Sequence, residues 1–311
     1  MDKIAVIGAG MIGRAWAIVF ARAGHPVSLY DEDRAALANN LAAIDVSLSD
    51  MSAAGLLCEE TPGSVRARVK PAASLEEALA GAVYVQENIR EELQAKREVF
   101  ARMDAFAPRT TLLASSTSTI PASQISASLA GRARCLVAHP VNPPHLVPLV
   151  ELCPAPWTSP ATIERARALL EASGQVPIVV KKEIQGFILN RLQAALLAEA
   201  MRLFEDGYAS SEDIDKCVRH GLGLRWSFMG PFETIDLNAP GGVIDYARRY
   251  GQLLYEIGRT QVARPWSASA LQALEAERRR LQPAHELASR QAWRDRHLIA
   301  LVAHQRGAEK R

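Results

Sequence analysis

The stretch that decides the fold is Ile4-Ala-Val-Ile7-Gly8-Ala9-Gly10-Met11-Ile12-Gly13. It is an apolar run that breaks at a glycine turn and continues as a helical pattern from Arg14 to Ala23, with Gly24 placed as terminator. The three glycines do different work. Gly8 permits a tight turn, Gly10 lets backbone approach a pyrophosphate, and Gly13 lets helix pack on strand, while the helix N-terminus supplies positive potential. A second apolar run, Val27 to Tyr30, ends at Asp31, 23 residues after Gly8, where a carboxylate accepts hydrogen bonds from a ribose 2′-hydroxyl and repels a 2′-phosphate. Glu32 and Asp33 add to that repulsion and Arg34 slightly offsets it. The stretch therefore predicts NAD in preference to NADP, held by Gly8, Ala9, Gly10, Met11, Ile12, Gly13 and Asp31. The plainer alternative is a glycine turn without a ligand.

Working outward, short apolar runs alternate with helical patterns: Val83 to Val85, Thr111 to Ala114, Leu136 to Ala138, Leu149 to Leu152 and Val176 to Val180. That alternation predicts an α/β fold, a Rossmann-type doubly wound parallel sheet. The character changes near Lys181 to Ile184. Gly186 to Asp206 is apolar around most of its circumference, the pattern of a helix buried on several sides, and helices dominate from there on. The expected organisation is a dinucleotide-binding domain over 1–183 followed by an all-α domain over 184–311.

The chain has 311 residues, 49% hydrophobic and 23% charged, which excludes disordered, collagen-like and disulfide-framework classes. A net charge of +2 supplies no field that argues for nucleic acid or an anionic membrane. Neither a Cys-x-x-Cys nor a Cys/His zinc spacing occurs among Cys58, Cys135, Cys153 and Cys217, so free thiols are expected and no metal. No apolar run is long enough to span a membrane, and the strand pattern beginning at Ile4 leaves no room for a signal peptide. A cytoplasmic location is expected.

His139 follows an apolar strand and opens His139-Pro-Val-Asn142-Pro-Pro, which puts it at the carboxyl edge of the sheet, where such folds bind ligands. Glu151 lies inside the apolar run Leu149-Val-Glu-Leu, where an unpaired carboxylate is costly to bury. His139 is its obvious partner. A carboxylate bonded to one imidazole nitrogen fixes the tautomer and raises basicity, leaving the other nitrogen to take a hydroxyl proton. A core histidine and a solvated edge-strand glutamate are the bland alternative.

With these pieces in place the chain resembles the 3-hydroxyacyl-CoA dehydrogenase superfamily, most closely its lambda-crystallin / L-gulonate 3-dehydrogenase branch. The likeness rests on Gly8-Ala-Gly10-Met-Ile-Gly13-Arg-Ala-Trp, Ser115-Ser-Thr-Ser118, the His139 and Glu151 segments, Gly186-Phe-Ile-Leu-Asn190-Arg-Leu, Gly223-Leu-Arg225-Trp226 and Trp293-Arg294-Asp295, essentially end to end. The resemblance implies that His139 is a general base paired with Glu151, that Ser118 and Asn190 contact the reacting oxygen, and that Asn142 lies near the nicotinamide or substrate. It also implies that the Glu87 region lies near the cofactor. Read without it, Ser118 is equally a turn or cap residue and Asn190 a packed helix amide.

Residues 35–65 contain no Lys or Arg but do contain Asp45, Asp50, Glu59 and Glu60, which disfavours a phosphate-rich CoA handle where family members place it. Arg225, among Trp226, Phe228 and Phe232, is suited to a small substrate's carboxylate, or else to an ordinary ion pair. The expected activity is NAD-dependent oxidation of an L-3-hydroxy acid, with L-gulonate as the family-implied example. A 3-hydroxyacyl-CoA dehydrogenase is the alternative, and an NAD-binding structural, crystallin-like protein the third reading. A homodimer through Gly186 to Phe204 is expected. So is an amphipathic tail from Pro283 to Arg306, docked through Leu287, Trp293, Leu298 and Leu301.

Overall fold

The computed structural model describes residues 1–57 and 59–309. Its sheet contains β1 (Lys3–Ile7), β2 (Val27–Tyr30), β3 (Val69–Pro71), β4 (Ala82–Glu87), β5 (Leu112–Ser115), β6 (Cys135–Pro140), β7 (Leu149–Pro154) and β8 (Val176–Val179). Their order is β3-β2-β1-β4-β5-β6-β7-β8. This is the doubly wound arrangement expected, with two departures. β3 was not anticipated, because Val-Lys-Pro is short and carries no alternating apolar signal. β7 runs antiparallel to β6 in a sheet otherwise parallel, since the connection over 141–148 is too short for a crossover helix.

Alternation along β1 divides the core between the faces. Ile4 and Val6 join one cluster, with Trp16 and Phe20 of the helix Met11–Arg22, while Ala5 and Ile7 join another with Val85, Phe100, Met103 and Leu113. Trp16 and Phe20 stack at 5.2 Å with their planes 13° apart, and each buried aromatic contributes about 2–3 kcal/mol of transfer free energy. Gly24, at φ +91°, takes the left-handed position that ends the first helix.

The chain separates into two compact units, Met1–Asn190 with the described residues from Gln291 onward, and Arg191–Arg290. The second is helical, and its helix Gly242–Thr260 leaves Ile244, Leu253 and Tyr255 exposed. The helix Leu189–Glu205 corrects the expectation of burial on several sides. Only Met201 is buried, and Leu192 is 61% exposed. An apolar circumference shows that a helix needs cover, not that the same chain provides it.

The tail is helical over Leu287–Glu309, but its inward stripe differs from that expected. Ile299 is buried in the first unit's core, with Leu298, Val302 and Ala303 packed beside it, whereas Leu287 and Leu301 are exposed and Trp293 is half-buried. Helical periodicity selects one stripe, and the one through Ile299 and Val302 excludes Leu301.

Candidate active site

The carboxyl ends of the parallel strands come level. Ile7 pairs with Glu87, Glu87 with Ser115, and Ser115 with Val137, so the turns after β1, β4, β5 and β6 open on one edge. A groove of about 440 Å³ lies there, lined by Gly8, Gly10, Asp31, Asn88, Ile89 and Arg90 among others. Gly8 adopts φ +88°, and a Cβ there would sit 2.8 Å from the Asn88 carbonyl; a Cβ on Gly13 would sit 1.8 Å from the Gly8 oxygen. A Cβ on Gly10 would meet no protein atom within 4 Å. Gly10 is also the N-cap of the first helix, which no side chain caps. Open space at an uncapped helix N-terminus fits the pyrophosphate of NAD. Asp31 closes the unit, accepting from the Ala9 N–H at 2.7 Å and the Asp33 N–H at 2.9 Å. Asn142 reaches the same turn, its Nδ2 3.4 Å from Met11 Sδ. Ala9 is buried beneath the turn and Ile12 is half-buried.

The Glu87 carboxylate does not line the groove. It is fully buried and accepts from Ile89 N (2.6 Å), Ser115 Oγ (2.5 Å) and the equally buried Lys96 Nζ (2.9 Å). Its neighbours Asn88, Ile89 and Arg90 face the groove instead. Next to this pair runs a partly buried polar chain. Ser116 Oγ donates to Asn88 Oδ1 (2.7 Å) and accepts from Trp16 Nε1 (3.0 Å) and Gln86 Nε2 (2.7 Å), and Tyr84 donates to Gln86 Oε1 (2.6 Å). These bonds tie the first helix, β4 and the end of β5 into one floor.

His139 and Glu151 face each other directly across the antiparallel β6–β7 ladder. Directly opposed residues project to the same face, and His139 Nδ1 lies 2.8 Å from Glu151 Oε2. Both residues are buried. Glu151 Oε1 accepts the backbone N–H groups of Ile188 (2.8 Å) and Leu189 (3.0 Å). Burial pushes this carboxyl up, but the bonds from His139, Leu189 and Ile188 outweigh it and hold the group below the usual carboxylate value. The two N–H groups reach Glu151 through an unusual turn, with Gly186 at φ +76° and Phe187 at φ +52°. The buried Phe187 ring lies against the imidazole, centroids 5.4 Å apart.

Asn190 continues from that turn, its Nδ2 donating to the Ser118 carbonyl at 2.9 Å. Ser118 is exposed on the loop after β5. Glu91 holds this loop: one carboxylate oxygen accepts from Thr117 Oγ1 (2.5 Å) and from the N–H groups of Ser118 (3.0 Å) and Thr119 (3.1 Å). Hydrogen bonds thus link His139 to Glu151, Glu151 to the Ile188–Asn190 turn, and that turn to Ser118. The sequence reading missed Phe187, the two N–H groups and Glu91. Gly186 was the available signal for the turn, and an acid before a Ser/Thr-rich loop the weaker signal for Glu91.

Cys153 packs with its Sγ 3.7 Å from the Glu151 carbonyl, and burial pushes its thiol far up, so it is inert beside the pair. Arg225 lies in the helical unit on the short helix Gly223–Trp226, with an exposed side chain. Among the described residues no helix is long and apolar enough to cross a membrane.

Two family models match most of the chain, the 3-hydroxyacyl-CoA dehydrogenase NAD-binding domain over residues 3–184 and the C-terminal domain over 186–278. A lambda-crystallin homolog from Bos taurus is 41% identical over 96% of this chain and 94% of its own. An L-carnitine dehydrogenase from Streptomyces griseus is 36% identical over 81% of this chain and 74% of its own. Among solved structures, 5-formyl-3-hydroxy-2-methylpyridine 4-carboxylic acid 5-dehydrogenase, an NAD+-dependent dismutase, superposes with a TM-score of 0.83, at 29% identity and 97% coverage of both chains. The chain belongs to the 3-hydroxyacyl-CoA dehydrogenase family and is an NAD-dependent oxidoreductase acting on CH–OH groups.

Proposed function

We propose that the chain oxidises an L-3-hydroxy acid bearing a free carboxylate to the 3-keto acid, with the His139–Glu151 pair as general base. The carrying observation is the 2.8 Å contact between His139 Nδ1 and a carboxylate whose other oxygen is already held by two backbone N–H groups. Glu151 accepts the Nδ1 proton, so Nε2 carries the lone pair and takes the proton from the substrate hydroxyl. When bound, NAD supplies the acceptor for the hydride leaving the same carbon. Ser118 and Asn190, joined by their hydrogen bond, stabilise the oxygen as charge develops, and Asn142 orients the reacting end of the site.

Two observations support a free acid over a CoA thioester. Arg66 and Arg68, the cations that follow the acidic segment 35–65, are both engaged: Arg66 with Asp45 (3.2 Å) and Arg68 with Glu60 (2.6 Å). The relatives include L-carnitine dehydrogenases, named for a hydroxy acid. Arg225 receives the substrate carboxylate, in its own site or in that of a second copy, and L-gulonate is the leading example. The protein works as a homodimer through the exposed apolar faces of its helical unit, in a reducing, cytoplasmic setting that suits the free thiols of Cys135, Cys153 and Cys217. A panel of NAD-coupled rates over L-gulonate, other free 3-hydroxy acids and 3-hydroxybutyryl-CoA tests the substrate class. Robust turnover of the thioester and none of the free acids overturns the choice.

A further inference from the structure

The charges around the Asp31 end of the groove are arranged more selectively than their order along the chain suggests. Asp33 is turned into the cap of the helix Arg34–Ala53, accepting from Ala35 N (2.9 Å) and Ala36 N (3.0 Å). Arg34 is drawn off in the opposite sense, its guanidinium donating to the carbonyls of Ala72 and Ala73 after β3. Arg90 lines the groove but is paired with Glu92 at 2.6 Å. Glu98 lines the groove as well and accepts from Gln94 Nε2 at 2.8 Å. The remaining charged groups are Asp31, whose two oxygens accept from Ala9 and Asp33, together with Glu32 and Arg102. Glu32 and Arg102 both line the groove and meet at 3.2 Å. Both are substantially exposed, Glu32 at 78% and Arg102 at 44%, so their bond adds little to stability but sets which charge stands nearest the Arg102 guanidinium.

We propose that Glu32 sets the choice of dinucleotide, both by placing a second carboxylate beside Asp31 and by occupying Arg102. This rests on reading the groove as the adenosine half of the NAD site. A ribose 2′-phosphate brings roughly two negative charges and needs a cation able to meet it. While Glu32 is present, Arg102, the second of the two arginines lining the groove, has a carboxylate beside it. Removing Glu32 deletes one repelling charge and frees one attracting charge in the same cavity, and both changes favour the phosphorylated cofactor. Asp31 keeps its backbone bonds and its place opposite the ribose in either case.

The test is direct binding, without any hydroxy acid: dissociation constants for NADH and NADPH by isothermal titration calorimetry on the parent chain, Glu32→Ala and Glu32→Ala/Arg102→Ala. In Glu32→Ala the ratio of the NADPH to the NADH constant falls at least about tenfold, on the order expected for charges at this separation near a protein surface. The double variant keeps less than a third of that gain. A ratio in Glu32→Ala within about threefold of the parent, or a gain retained in full without Arg102, overturns the proposal. A parent chain that binds NADH tightly while either of those results is found leaves the cofactor site standing and only the role of Glu32 removed. A parent that binds neither dinucleotide removes both.

Discussion

The ring of Phe187 covers the imidazole of His139 from a backbone position, φ +52°, that side chains with a Cβ seldom adopt. Its place is over-determined. The residue is buried, and the turn it occupies delivers the Ile188 and Leu189 N–H groups to Glu151. Phe187→Ala loses the packing and keeps the strain, costing about 3 kcal/mol or more in urea unfolding. Phe187→Gly loses the same ring but relieves the backbone, so it is the more stable of the two by about 1 kcal/mol. The reverse ranking would mean that the turn is not held left-handed in solution.

Removing the base separates chemistry from binding. His139→Gln keeps its affinity for NADH and loses at least about 100-fold in kcat. Glu151→Gln behaves similarly for another reason. If its carbonyl stays on the Ile188 and Leu189 N–H groups, its NH2 faces Nδ1 and forces the proton onto Nε2. Stopped-flow rates beside NADH titrations check both, and near-parent turnover in folded His139→Gln rejects the assignment.

Two glycines three positions apart respond differently to the same methyl group. Gly13→Ala drives a Cβ to 1.8 Å from the Gly8 carbonyl and loses about 1–3 kcal/mol through forced backbone movement. Gly10→Ala meets no protein atom, so its melting temperature stays close to the parent's while its NADH affinity drops. Differential scanning calorimetry and NADH titration on the two variants check the contrast. Equal melting temperatures and equal affinities contradict it.

His145 titrates against the fold. Burial first, then Arg22, push its value down from 6.5 to about 4, against an opposing pull from Asp295 that exceeds the weaker push from Arg14. Between those values the unfolded chain binds a proton that the folded chain does not, so stability falls as pH falls from 6.5 towards 4, by up to about 3 kcal/mol. His145→Gln lacks this linkage. Urea midpoints at several pH values in that window decline less steeply for the variant, and parallel declines would refute the effect.

The uncovered faces of the helical unit, including Leu192, Leu253 and Tyr255, predict self-association. Light scattering at micromolar concentration gives twice 33.8 kDa, and Leu192→Glu/Leu253→Glu shifts the mass towards one chain. A parent of single-chain mass would argue against the dimer.

Local patterns were legible in the sequence. The strand, the glycine turn, the helix and Asp31 are all within one short segment, and each residue type there has one backbone use. An acid inside the apolar run Leu149–Leu152 needs a partner, which pointed from Glu151 to His139, and the two are in contact. What escaped depends on long-range geometry. That Glu87 is fully buried follows from Lys96 and Ser115 converging on it, and nothing in the local sequence distinguishes a carboxylate at a strand end that is sealed in from one that faces a ligand. The hold of Ile188 and Leu189 on Glu151 comes from two successive left-handed residues, of which only Gly186 is of a type that advertises them. The apolar circumference of Gly186 to Asp206 reads as a helix buried on several sides, yet in Leu189–Glu205 only Met201 is buried, because a hydrophobic stripe carries no label for which chain supplies its cover.

The last helix returns to the first unit, and this sets an order of events. Ile299 joins a core whose other fully buried members, among the described residues, lie at or before Leu170, so the entire helical unit is synthesised between Leu170 and the last helix's contribution to that layer. In a nascent chain the core residues that Ile299 covers wait for a segment made after the whole helical unit. The helical unit, for its part, is anchored at both of its ends, after Asn190 and before Gln291.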